Sequence, residues 1–428
     1  MTTLSLFVAF CGLAYFLFMP RVFDWFSVAY VSACAYMLPV FVGYSRGAGG
    51  ESLMHFEASL ACLFVFVGIL CGAVVLDTNY RRRDHEYVPS RWAEDLGLAL
   101  TVLQCAGMIN TFFISGDALW STHKQEMFGS MTLWWLFWKT GIVAAFTFTY
   151  SNRMHRLTAI NTISLLFLWY LGTRSPLTLS MFSVIVISIS RRGPKPIIGN
   201  WKLGAASFCF AFIVLIYKQV YIFVKAGQWD NVAETLSSES VVSETLLTSE
   251  AMSQTHLLNV VISEEYRLPF GLHFWDNMVQ SIYAGGAKSV DPSFGQNIAN
   301  DLFPNLNYGL ASNIWAEMFS TGGWPLFLAF LVIYVGVLGW TSSKVRSRAE
   351  LPVNLICAWM PYWAFYIHRS DTYRLLSHFK QYAALLVICV PFVVVIRLFL
   401  RSGSRQSLRA SVSMPLENKG VVFSRARH

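Results

Sequence analysis

Charge is scarce in this chain: only 13% of its 428 residues are Asp, Glu, Lys or Arg, against 55% hydrophobic and 16% aromatic residues. That balance excludes an ordinary soluble domain of this length and makes a lipid bilayer the main solvent. The eight cysteines all fall inside apolar runs, which argues against a disulfide framework or a thiolate metal cluster. No HExxH, Walker loop or His/Cys cluster occurs, nor an internal repeat of the kind that pairs broken spans in transporters. Residues 3–19 lack the basic start and small-residue cleavage site of a secretory signal, so they are expected to stay as a first span. A net charge of +8 invites a nucleic-acid partner, but the basic residues do not gather on one water-facing segment, and no such partner is expected.

What is present is a series of apolar windows near the roughly 20 residues needed to cross a hydrocarbon core. They lie at 3–19, 24–43, 57–76, 93–115, 131–150, 157–173, 176–190, 201–224, 311–340, 353–367 and 382–400. The expected fold is therefore all-α, a polytopic transmembrane helix bundle of about eleven spans. With the amino terminus outside, Lys and Arg in the inner loops outnumber those in the outer loops about two to one, as the positive-inside rule requires. Arg81, Arg82 and Arg83, then Arg153 with Arg156, then Arg191, Arg192 and Lys195, then Lys344, Arg346 and Arg348 mark the inner side.

This organisation divides the chain into a bundle over 1–224, a large outer loop over 225–310, a second bundle segment over 311–400 and a basic tail over 401–428. The tail, rich in Ser and Arg, is expected to be unstructured and drawn to anionic headgroups. In the loop, Leu236, Leu247, Leu258 and Val261 are spaced for amphipathic helices up to Tyr266. From Arg267 to Gly309, Pro, Gly, Asn and aromatic residues predict irregular structure folded over a site.

Four groups of residues could carry chemistry. Gly172-Thr-Arg174-Ser-Pro176 joins two short spans, which places Arg174 at the membrane boundary, where its planar fork suits a phosphate; a plain headgroup anchor is the alternative. Between the last two windows lie His368, Arg369, Asp371, Arg374, His378 and Lys380, a short outer loop that breaks the charge rule. Arg267, with His273 and Asp276 close behind, sits at the join of the two loop halves. Asn313 and Glu317, four apart, share a helix face ahead of Gly322 and Gly323, which would permit close helix approach. A carboxylate in such a span calls for a partner, and Arg174 or Arg374 is expected. Lys139, mid-span, either pairs with a carboxylate in the bundle or binds a ligand phosphate.

With many spans, a Gly-x-Arg turn at 172–174, one large loop before the last spans and Asn313, Glu317, Gly322 and Gly323 opening the next helix, the chain resembles the O-antigen (Wzy) polymerases of bacterial surface polysaccharide synthesis. O-antigen ligases share this layout but have a His-Asn pair where Ser312-Asn313 stands here, and a lipid-linked oligosaccharide flippase would show paired repeats. The resemblance implies a bacterial inner-membrane glycosyltransferase whose large loop and active site face the periplasm. It would move a growing glycan from undecaprenyl diphosphate onto another lipid-linked repeat unit, with a chain-length regulator as a further partner. No outer loop near the amino terminus carries the adjacent acidic pair of metal-assisted transferases, so no metal or cofactor is expected. Arg174, Arg267, Arg369 and Arg374 would hold the diphosphate, and Glu317, His368 or His378 would take the acceptor proton.

Overall fold

The computed structural model describes the chain except for residues 42–53, 80–89, 122–131, 192, 195, 197–198, 200, 239–249, 283–293, 305–311, 348 and 413–428. The basic residues Arg81, Arg82, Arg83, Arg192, Lys195 and Arg348, together with Leu247 and Gly309, lie outside the described residues, as does the end of the tail.

The described chain is helical throughout. In order, it forms α1 (Thr2–Phe18), α2 (Trp25–Phe41), α3 (Phe56–Asn79), α4 (Arg91–Ser115), α5 (Leu133–Ser151), α6 (His155–Tyr170), α7 (Ser175–Ser190) and α8 (Trp201–Lys225). The large loop contributes α9 (Trp229–Ser237), α10 (Glu250–Ser263), α11 (Asp276–Ile282) and α12 (Phe294–Leu302). The chain returns through α13 (Ile314–Arg346), α14 (Glu350–Phe365) and α15 (Thr372–Val412). Every expected apolar window coincides with a helix. Four stretches have the length and apolarity to cross a membrane, Phe56–Asn79, Arg91–Trp120, Ile314–Arg346 and Thr372–Val395. Side chains such as Phe7, Phe113, Ile163, Val332 and Val387 point outward from the bundle, 64 to 84% exposed, as a lipid-facing surface requires.

Helix packing brings the elements that matter into register. The longest contact runs between α4 and α5. Gly107 makes it possible: a Cβ there would stand 2.8 Å from the backbone nitrogen of Trp138. Asn161 of α6 closes a polar seam with these two helices, in which Gln104 Nε2 donates to Asn161 Oδ1 at 3.0 Å and Asn161 Nδ2 donates to Thr101 and Thr149, both at 3.1 Å. Such groups are satisfied internally because hydrocarbon offers no partner. At the end of the bundle away from the large loop, Arg21, Asp24, Asp77 and Arg346 form a buried network that cancels its own charge.

The large loop is part of the bundle's packing. Leu257, Leu258, Val261 and Ile262 of α10 are buried, each worth about 1.5–3 kcal/mol of transferred apolar surface. Thr255 Oγ1 donates to the Tyr36 carbonyl at 2.6 Å, and Asn259 Oδ1 accepts from the backbone of His55 at 2.6 Å. The second half of the loop is more regular than its composition predicts: a π-helical turn at Phe270–Trp275 runs directly into α11, and α12 follows. Pro269, with no amide hydrogen to lose, caps the start of that turn.

Two further expectations are corrected. Gly322 and Gly323 do not serve helix approach: Gly323 has φ +61° and breaks α13 into a short leading segment and a long one that starts at Pro325. The tail from Ser402 continues α15 as far as Val412, a stretch that includes Gln, Leu, Arg and Ala and has no proline to stop the helix.

Candidate functional site

The Gly172 turn has a local cause. Thr173 N donates to the Leu168 carbonyl at 2.9 Å and Gly172 N to that of Trp169 at 2.8 Å, the paired bonds of a Schellman end, with Gly172 at φ +86°. A side chain at 172 would also strike the Tyr221 ring at 2.9 Å. Arg174 then caps α7, with Pro176 in its first turn. The tight turn leaves Ser175 and Pro176 on the wall of a cavity of about 320 Å³.

That cavity collects residues far apart in sequence: Lys139 and Thr140 from α5, the Ser175–Pro176 turn, Tyr362 from α14, and Tyr373, Arg374, Ser377, His378 and Gln381 from α15. Arg374, His378 and Gln381 follow an i, i+4, i+7 spacing and so share one helix face. No Asp or Glu lines the cavity. Lys139 forms no ion pair among the described residues, so of its two expected partners the carboxylate is not found among them. His378 lies flat on Tyr362, ring centroids 4.1 Å apart and planes 9° apart, and its Nδ1 is enclosed with no hydrogen-bond partner. Arg369 stacks over the Tyr366 ring at 5.3 Å.

Glu317 and His368 do not line the cavity. Glu317 is 1% exposed, and its Oε2 accepts from Thr372 N at 2.7 Å and Thr372 Oγ1 at 3.0 Å, at the electropositive start of α15. Its Oε1 faces His273 Nε2 at 3.3 Å, without the alignment of a hydrogen bond. Asn277 and Asn297 approach His273 Nδ1 at 3.3 and 3.4 Å, so either amide can donate to that nitrogen and leave the proton on Nε2, toward Glu317. The expected arginine partner of Glu317 is thus replaced by His273, which the π-helical turn carries in from the large loop. Asp371 stands alongside, accepting from Ser312 Oγ at 2.7 Å and, as cap of α15, from Arg374 N at 2.8 Å.

His368 lies in a 3₁₀ turn between α14 and α15 and is 1% exposed. Its Nδ1 accepts from Trp315 Nε1 at 2.9 Å, which fixes the neutral tautomer, and burial pushes its pKa down to about 3. Arg267 is exposed and bound elsewhere, donating to the Phe319 carbonyl at 3.3 Å with its guanidinium over the Phe319 ring. Of the residues singled out in the sequence, Lys139, Arg374 and His378 line the cavity, Arg174 precedes the lining residue Ser175, and Arg369, Glu317, His368 and Arg267 do not line it. Tyr362, Tyr373 and Gln381 carried no sequence signal, because nothing in an apolar helix distinguishes a cavity-facing side chain from a packed one.

No family model matches the chain, and neither a curated protein nor a solved structure is similar to it.

Proposed function

We propose that this chain is a polymerase of lipid-linked oligosaccharide repeat units, working in the bacterial inner membrane with its large loop in the periplasm. The observation that carries this reading is a cavity lined by cationic and hydroxyl side chains without a carboxylate, formed where the Arg174 turn meets the start of α15. The reaction it suits breaks the bond between the anomeric carbon of the donor glycan and the lipid diphosphate. The diphosphate leaves with the electron pair, and a hydroxyl oxygen of the acceptor sugar takes its place while losing a proton.

Arg374, whose guanidinium lies 3.7 Å from Asp371, would supply fixed positive charge for the leaving diphosphate without exchanging protons, with Arg174 at the turn that precedes Ser175 as a second source. His378, the one histidine among the cavity's lining residues, would receive the proton. Glu317 holds the first turn of α15 through Thr372 and so positions Arg374, two residues on.

The test is reconstitution of the full chain in nanodiscs with undecaprenyl diphosphate-linked repeat units, read as a glycan ladder. Arg374→Ala should weaken both donor affinity and turnover, by about 2–4 kcal/mol in the transition state as for other charge-stabilising donors. His378→Ala should lower turnover by roughly 100- to 10,000-fold and leave donor affinity near normal. Wild-type ladders from both variants, or no polymer from the unmodified chain, would reject the reading.

A further inference from the structure

The cavity has two positive poles rather than one. Arg374 marks the pole near the Arg174 turn. Lys139 marks the other: its neighbour Thr140 donates through Oγ1 to Gln381 Oε1 at 3.2 Å, which sets Lys139 level with the 378–381 stretch of α15. Four to seven residues of helix separate that level from Arg374, about 6–10 Å along the axis. A diphosphate gripped at Arg374 and its neighbours would leave the second pole unanswered. An ammonium group in an apolar span is costly unless it meets an anion or water, and among the described residues no carboxylate answers Lys139. The surrounding wall is rich in donors. Gln381 spends its carbonyl oxygen on Thr140, which frees its amide nitrogen for a ligand, and the Ser377 hydroxyl lies one helical turn beyond Arg374. A compact cation flanked by amide and hydroxyl donors is the complement of an acceptor-only group such as a carboxylate. Tyr373 adds an aromatic surface on the same cavity.

We infer that Lys139 and Gln381 form a subsite for a carboxylate on the glycan, so that the oligosaccharide handled here contains an acidic sugar such as a uronic acid. The inference rests on the polymerase reading for the identity of the ligand as a glycan. Lys139 then serves as a specificity determinant, separate from the arginines that hold the leaving group.

Two arms test it on the full chain in nanodiscs. In the binding arm, cellobiouronic acid and its neutral carboxyl-reduced counterpart, cellobiose, are titrated against the unmodified protein, Lys139→Met and Gln381→Glu. The acid should saturate at a concentration about tenfold lower or more, as one charge-assisted contact provides. Lys139→Met should abolish that difference. Gln381→Glu keeps the acceptor for Thr140 and places an anion beside Lys139, so it should abolish the difference too, without emptying the core. In the polymerisation arm, lipid-linked repeat units extracted from cells lacking this chain are supplied as isolated or after carboxyl reduction, and reduction should slow the unmodified protein about tenfold while leaving Lys139→Met indifferent. If Lys139→Met removes no acid preference in either arm, or if it weakens inorganic diphosphate instead, the inference is overturned. Extracted units that contain no acidic sugar would overturn it as well. An acid preference in the binding arm with no polymer in the other would reject the polymerase reading and leave the subsite standing.

Discussion

Glu317 offers the sharpest separation between a structural and a chemical role. Its carboxylate is enclosed, accepts two hydrogen bonds from Thr372 and faces His273 at 3.3 Å. Glu317→Ala would leave the Thr372 amide a buried donor without an acceptor, at about 1–3 kcal/mol. It would also leave the His273 Nε2 proton without the acceptor that faces it, a second buried donor at about 1–3 kcal/mol. Together these give an expected loss of about 2–5 kcal/mol. Glu317→Gln keeps an acceptor for Thr372 and can face His273 with its amide once the imidazole proton moves to Nδ1, so about 1–2 kcal/mol is expected. The assay is thermal unfolding of the full chain in nanodiscs, with His273→Ala and the double variant completing a cycle, and a coupling of about 1 kcal/mol or more is expected between the two sites. Turnover is measured on the same samples. A Glu317→Gln protein of normal stability that loses turnover by roughly 100-fold or more would refute the positioning role and return Glu317 to proton transfer. A Glu317→Ala protein that melts like the unmodified chain would refute the geometry itself.

Arg174→Lys should lose most activity at normal expression, because a point charge cannot copy a bidentate grip on a diphosphate; a full ladder from the Lys variant would reduce Arg174 to a headgroup anchor. Gly172→Ala should destabilise by about 1–2 kcal/mol from its positive φ alone, with the Tyr221 contact adding to that, and thermal unfolding reads the sum. His368 has a folded-state pKa near 3, below the usual histidine value near 6.5, so the unfolded chain binds the extra proton first as pH falls. Its effect is therefore nil above about pH 6.5, and stability is lost progressively between there and pH 3. By pH 5 the loss is about 2 kcal/mol, and it should be missing from the pH profile of His368→Gln. In a background with the eight cysteines replaced, Ser175→Cys should react with a membrane-impermeant thiol reagent from the periplasmic side and Ser343→Cys should not; the reverse pattern would invert the proposed orientation.

Hydrophobic windows determined where the helices lie, because a helix that meets lipid must be apolar for its whole length whatever its neighbours are. Each of the eleven windows became a helix. The turn at Gly172 was equally local, since left-handed backbone depends on a few adjacent residues, whereas Asn313, expected to share a helix face with Glu317, stands before α13 as its cap and accepts from the amides of Trp315 and Ala316. The sequence could also nominate Arg374 and His378, whose four-residue spacing puts them on one face. It could not say which face of α15 meets α5, and so it left Lys139 undecided between a carboxylate partner and a ligand. Only packing places Lys139 on the cavity, because Gly107 lets α4 and α5 close together and the Thr140–Gln381 bond ties α5 to α15. Tertiary structure alone also sends Glu317 to His273 rather than to an arginine. That pairing depends on a π-helical turn in the large loop, in a segment whose Pro, Gly and Asn content reads as irregular. Helix identity is a property of short-range apolarity, whereas the partner of a buried charge is decided by contacts between segments some 40 residues or more apart in the chain, and no periodicity records those.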